Sequence, residues 1–165
     1  MGSGSWTFSH PTAWSKIQLG WITPTIVTAP GWYTVRDSET HAEAYILIDT
    51  THSTDEYFLI ENKHPANSYY ETIGAPVAPD GTYPDAGIMI YHVDESKLVD
   101  WLASGNNNVN VDETHKGVDV ETAEHPTSDV LDADDLDAEA NRGDADDLWD
   151  ELQYDFFDTS VPCNA

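Results

Sequence analysis

Ala44-Tyr-Ile-Leu-Ile48 and Tyr57-Phe-Leu-Ile60 are two short, continuous apolar runs rich in β-branched and aromatic side chains. Runs of this length between turn formers read as strands, and their lack of alternation reads as burial on both faces of a sheet. Working outward, 43–49 and 56–62 become central strands. The segments 32–36 and 87–93, dense in the same residue types, are expected beside them. Pro76, Pro79, Asp80-Gly81 and Pro84 mark 67–84 as a long connecting loop. Thr12 as a start signal, apolar Trp14, Ile17 and Leu19, and Gly20 as a stop predict a short helix over 12–19. Asp94 as a cap, Leu98, Val99, Trp101 and Leu102 as an apolar face, and Gly105 as a stop predict a second helix over 95–104. The expected fold class is α+β: a short helix, a mostly antiparallel sheet, one further helix and an irregular acidic tail.

The chain has 165 residues, 39% of them hydrophobic and 11% aromatic, enough to bury a core of one domain's size. Six Lys and Arg stand against 31 Asp and Glu, a formal charge of -25. Such a charge repels phosphate backbones and anionic bilayers, so nucleic acid and membrane surfaces are excluded as expected partners. The longest apolar runs fall far short of the ~20 residues of a membrane helix. The single cysteine, Cys163, has no partner for an internal disulfide. No basic segment followed by an apolar one opens the sequence, so an exported parent would carry its signal upstream. The acid excess is heaviest after Val111, which divides the chain into a β-rich part, 1–111, and an Asp-rich segment, 112–165.

Common catalytic templates fail: there is no Gly-x-Ser-x-Gly elbow, no phosphate loop, no dinucleotide fingerprint and no paired-cysteine zinc site. None of the seven histidines makes the His-x-x-x-His spacing that places two imidazoles on one helix face. Asp132-Ala-Asp134 and Asp144-Ala-Asp146 begin like EF-hand loops, yet neither continues with the turn glycine or the closing glutamate. A looser calcium site from Glu121, Asp144 and Asp147 suits a hard cation that takes six to eight oxygens. The competing reading is a solvated acidic coat of the kind that works at high salt, where screening removes self-repulsion. His92, in Tyr91-His-Val-Asp-Glu95, is expected to be a hydrogen-bonded structural histidine beside two carboxylates, with acid–base work as the rival reading. Trp6, Trp14, Trp21 and Trp32 are expected in the core, with a sugar-stacking platform as the alternative.

Five strings taken together carry a resemblance: Met1-Gly-Ser-Gly-Ser-Trp6, Trp14-Ser-Lys-Ile-Gln-Leu-Gly-Trp21, Glu56-Tyr-Phe-Leu-Ile-Glu-Asn-Lys63, Gly87-Ile-Met-Ile-Tyr-His-Val-Asp-Glu95 and His115-Lys-Gly-Val-Asp119. In content and order they resemble the immune inhibitor A family of secreted zinc metallopeptidases, over Met1 to about Asp147. The resemblance implies that Met1 is the methionine of a Met-turn, a support beneath the zinc and not a ligand. It also implies that the His-Glu-x-x-His zinc helix and the glutamate base lie upstream, in an extracellular parent that hydrolyses protein or peptide substrates. On this reading the chain contains no catalytic residue of its own and is inactive alone. The family's Asn/Asp-rich stretch corresponds to Asn108-Val-Asn110, Asp119 and Gly143-Asp-Ala-Asp-Asp-Leu148. The resemblance places any calcium in this stretch, and this chain departs from the family pattern there at Ala123-Glu-His125 and Asp146. A calcium-dependent binding module and a carbohydrate-binding module are the alternatives from another functional class.

Overall fold

A computed structural model of the chain describes residues 10–48, 55–64, 86–98, 110–111, 116–121 and 148–149. Together these residues form an α+β fold. Helix α1 (Ala13–Gln18) is followed by strands β1 (Thr25–Val27), β2 (Tyr45–Leu47), β3 (Glu56–Lys63), β4 (Gly87–Asp94) and β5 (Val118–Glu121). A second helical turn, α2, begins directly after β4 and is described over 95–98. The strands lie in sequence order, β1-β2-β3-β4-β5. The β1–β2 pair is parallel and the other three pairs are antiparallel, so the sheet is mixed but mostly antiparallel.

The long central pair, β3 and β4, runs in register from Glu56 opposite Asp94 to Lys63 opposite Gly87. Side chains alternate across a strand, so Leu59, Glu61 and Lys63 share one face with Tyr91 and Val93 of β4. That face lies beneath α1: Ala13, Ile22, Ala44, Leu59, Tyr91, Val93 and Leu98 form its buried cluster, with Trp14, Ile17, Ile46, Tyr57, Met89, Val118 and Val120 packed around it. Fully burying an apolar side chain such as Leu59 contributes about 1.5–3 kcal/mol. The other face buries Phe58 and Ile90 at its middle, while His92 and Glu56 toward one end keep 19% and 27% of their side chains exposed, so it is only partly covered.

Both helix starts follow the expected chemistry. Thr12 caps α1, its hydroxyl accepting from Ser15 N at 3.3 Å. Gly20 ends it with φ at 72°, the left-handed conformation that glycine adopts without steric penalty. Asp94 Oδ1 accepts from Ser96 N at 2.8 Å and from Ser96 Oγ at 2.6 Å at the start of α2. Residues 99–104 of the expected second helix and all of the 67–84 loop lie outside the described residues.

Three expectations need correction. Segment 32–36 is not a strand. It forms an irregular connection pinned to β3 where Asn62 Nδ2 donates to Val35 O and Ser38 N donates to Asn62 O. Its place as a sheet neighbour is taken by β1, a three-residue strand between Pro24 and Pro30. The sheet also continues past the composition break at Val111, because β5 pairs with β4 from Ile90 opposite Glu121 to Val93 opposite Val118. Finally, Trp14 packs against the core, but Trp21 is 61% exposed and Trp32 fully exposed. Each stands in the neighbourhood of a helix stop or a Pro-Gly turn, where the chain runs along the surface. Trp6 lies outside the described residues.

Candidate functional site

The most unusual chemistry is a group of charges inside the α1-covered face. Glu61 is fully buried, and Lys16 and Lys63 are nearly so. Glu61 sits two residues along β3 from Leu59 and therefore points the same way, under α1. Its Oε1 accepts from Tyr91 Oη at 2.6 Å and from Ala13 N at 3.0 Å. Lys63 Nζ stands 3.6 Å from the same oxygen, and Lys16 Nζ stands 3.5 Å from Oε2. Lys16 also donates to Ser38 O at 2.9 Å, tying α1 to the 35–38 connection as well as to β3.

One carboxylate thus receives a phenol, a backbone amide and two ammonium groups from three elements. Burial pushes the Glu61 carboxyl up, but Lys63, the Tyr91 hydrogen bond, Lys16 and the Ala13 amide together outweigh it and hold the group below the ordinary glutamate range. Burial, joined by the like charge of Lys63, lowers Lys16 below the ordinary lysine range against the pull of Glu61. His10, at the entrance to α1, is lowered by burial and by Lys16. The group acts as a charged clamp that fixes α1 to the sheet and to the 35–38 connection. Sequence reasoning missed it because Lys, Glu and Lys read as surface residues. The available signal was period two along β3, which places Glu61 and Lys63 on the face of Tyr57 and Leu59.

The opposite face carries the histidine singled out from sequence. His92 lies opposite Phe58 on one side and Asp119 on the other. Its Nε2 is 3.3 Å from Glu56 Oε2, and its ring centroid is 5.5 Å from that of Phe58. Lys116 Nζ reaches Asp119 Oδ1 at 3.4 Å. A carboxylate-bound imidazole against an aromatic ring fits the structural reading of His92. Tyr57, whose hydroxyl donates to Glu95 Oε1 at 2.7 Å, is raised by burial and by that hydrogen bond, so it stays protonated.

Of the expected calcium ligands, Glu121 ends β5, and its carbonyl accepts from the Trp149 indole at 2.8 Å. Asp144, Asp147 and the Met-turn candidate Met1 lie outside the described residues. Among the described residues, no group of three or more His, Cys, Asp or Glu side chains is gathered as a metal ion would require. They do not fit a zinc site, nor do they complete a calcium one. No helix among them is long and apolar enough to cross a membrane. No protein family, curated protein or solved structure matches the chain.

Proposed function

We propose that this chain is the C-terminal part of the catalytic region of a secreted zinc metalloendopeptidase of the immune inhibitor A type. The observation that supports this reading is the order and placement of the motif strings. Trp14–Trp21 covers α1 and its stop, Glu56–Lys63 is β3, Gly87–Glu95 is β4 with the start of α2, and the described end of the fifth string, 116–119, enters β5. The four strings that fall on described residues therefore meet in one sheet and its helix, and Lys16, Glu61, Lys63 and Tyr91, which form the clamp, all lie within them. Zinc, its ligands and the general base belong upstream of Met1 on this reading. The residues described here supply a rigid packing lobe and no catalytic step.

The test is to read the parent gene upstream of Met1 and to assay both products on casein with and without a zinc chelator. A His-Glu-x-x-His motif in frame, chelator-sensitive hydrolysis by the parent and no hydrolysis by this chain are expected. A parent without that motif and without peptidase activity overturns the reading.

A second reading, a calcium-dependent binding module, draws on the Trp149–Glu121 contact, which brings Leu148 and Trp149 alongside β5. It requires that calcium at fixed ionic strength raise the unfolding midpoint of this chain. If only bulk salt does so, the acidic tail is a halophilic coat.

A further inference from the structure

The sheet has two edge strands, β1 and β5, and each has one strand neighbour among the described residues. An edge strand carries a row of backbone N–H and C=O groups turned away from its neighbour, a template on which another chain can add a strand. Which residues of β5 carry them follows from the register. Asp94 N donates to Gly117 O, and Val93 stands opposite Val118 in the antiparallel pairing. Pairs that exchange hydrogen bonds alternate with pairs that do not, so 117, 119 and 121 turn their backbone groups toward β4, while Val118 and Val120 turn theirs outward.

Side chains take these outward groups. Asn110 lies outside any strand. Its Nδ2 donates to Val118 O at 2.7 Å, and its Oδ1 accepts from Val118 N at 3.0 Å. One carboxamide thereby makes both bonds that a residue of a neighbouring strand would make, since it offers the same donor and acceptor as a peptide unit. Along the same edge, Val120 N donates to Asp119 Oδ1 at 3.1 Å. Lys116 Nζ meets that same oxygen at 3.4 Å and steadies the carboxylate. Val118 N, Val118 O and Val120 N thus have partners within the chain before a second chain arrives. Charge gives no equivalent protection in every medium. The net charge of -25 keeps copies apart in dilute salt, but at about 1 M salt the screening length falls to ~3 Å. Hydrogen bonds made within one chain persist there.

We infer that Asn110, seconded by Asp119, is an edge guard: its side chain occupies the place of a further strand beside β5 and keeps that edge from pairing with the β5 edge of a second copy of the chain. A second copy is the partner kept out because each copy offers the other the same outward groups of Val118 and Val120, in an antiparallel two-fold pairing that closes on itself. The guard involves nothing upstream of Met1 and stands apart from the peptidase reading.

The test compares the chain with Asn110→Leu, close in shape and without hydrogen-bonding groups, at about 1 M salt so that repulsion is screened. Amide hydrogen exchange and sedimentation are read over a range of protein concentrations. The unaltered chain should stay monomeric with the Val118 amide protected throughout. In dilute Asn110→Leu the Val118 amide should exchange about three- to tenfold faster, as expected for the loss of one hydrogen bond. Continued protection of β3 and β4 separates this from unfolding. Raising the concentration of the variant should produce a dimer and restore protection at Val118 and Val120. Val118 exchange that Asn110→Leu leaves unchanged overturns the inference, because the carboxamide then does not hold the strand. A variant that exposes Val118 and stays monomeric at every concentration makes Asn110 a loop tether and overturns it too. Association that leaves Val118 unprotected belongs to another surface, and dimerisation of the unaltered chain through Val118 means that the edge is unguarded; either result overturns the proposal. Should Asn110→Leu fail to fold, Asn110→Ser, too short to reach both backbone groups, is read in the same way.

Discussion

Glu61 and Glu56 belong to the same strand and point to opposite faces of the same sheet, and they have become different objects. Glu61 has no exposed side-chain surface and draws on Tyr91, Ala13, Lys16 and Lys63; Glu56 keeps 27% of its side chain exposed and meets His92 at 3.3 Å. A carboxylate's role is thus set by which side of a pleat it falls on and by whether a helix covers that side. On the covered face every lost partner leaves a stranded charge, whereas on the open face water replaces it.

The largest effect expected from this contrast follows Glu61→Ala, which leaves Lys16 and Lys63 buried without their anion. Removing one partner of a buried ion pair costs about 3–5 kcal/mol, to be read from urea unfolding at fixed salt. A loss no greater than that of Glu56→Ala would break the comparison. Replacing the triad by Lys16→Met, Glu61→Leu and Lys63→Leu, with Tyr91→Phe so that no buried hydroxyl loses its acceptor, should recover part of the loss, since well-packed apolar substitutes for buried ion pairs are often neutral or stabilising, while the Ala13 amide still lacks its acceptor. The same clamp sets an acid limit. The Glu61 carboxyl is depressed in the folded state, so its contribution is fully present above the unfolded glutamate value of ~4.3 and fades as pH falls through the lower folded value. Glu61→Gln should flatten that acid-side slope. Lys16, also depressed, adds stability as pH rises from its folded value toward the ordinary lysine range.

Smaller but still on the covered face is Tyr91→Phe, which removes the 2.6 Å hydrogen bond to Glu61 and keeps the ring. Hydrogen bonds to charged groups contribute ~1.5–3 kcal/mol. Double-mutant coupling between Tyr91→Phe and Glu61→Gln should account for most of it. Gly87→Ala tests how tightly Leu148 and Trp149 sit against the start of β4, for an added Cβ would stand 2.7 Å from Leu148 Cβ and 3.1 Å from Trp149 O. Overpacking of this kind costs ~1–3 kcal/mol. An unchanged midpoint would mean that Leu148 yields freely and that the 148–149 segment is only loosely seated against the start of β4.

These features were unequally legible in the sequence. Strands β3 and β4 and the start of each helix were readable, because apolar runs, Thr12, Gly20 and Asp94 act locally. β1 is three residues between prolines, too short for a periodicity, and β5 is half acidic, so its pairing with β4 depends on tertiary contact. The five tyrosine, threonine, valine, tryptophan and arginine side chains of 32–36 looked like a strand, yet Asn62 holds that segment through its backbone. The clamp was hidden because polarity predicts exposure, and only the register of β3 reveals that Glu61 faces the same way as Leu59.

The smallest expected effect separates the two faces most cleanly. His92 and Glu56 form a partly exposed pair, and such pairs contribute ~0.2–1 kcal/mol in double-mutant cycles. Since the contact is an ion pair only while the imidazole is protonated, a cycle of His92→Asn and Glu56→Gln run at mildly acid pH should give a coupling in that range at low salt. At about 1 M salt the screening length falls to ~3 Å, close to the separation of the pair, and the coupling should fade. The Glu61 clamp excludes the ions that do the screening, so the Glu61→Ala loss should survive the same salt. If both couplings fell together, Glu61 would be reached by solvent and the difference between the faces would be one of degree. If neither fell, Phe58 and Asp119 would be shielding His92 from the ions, and the open face would be more closed than its exposure implies.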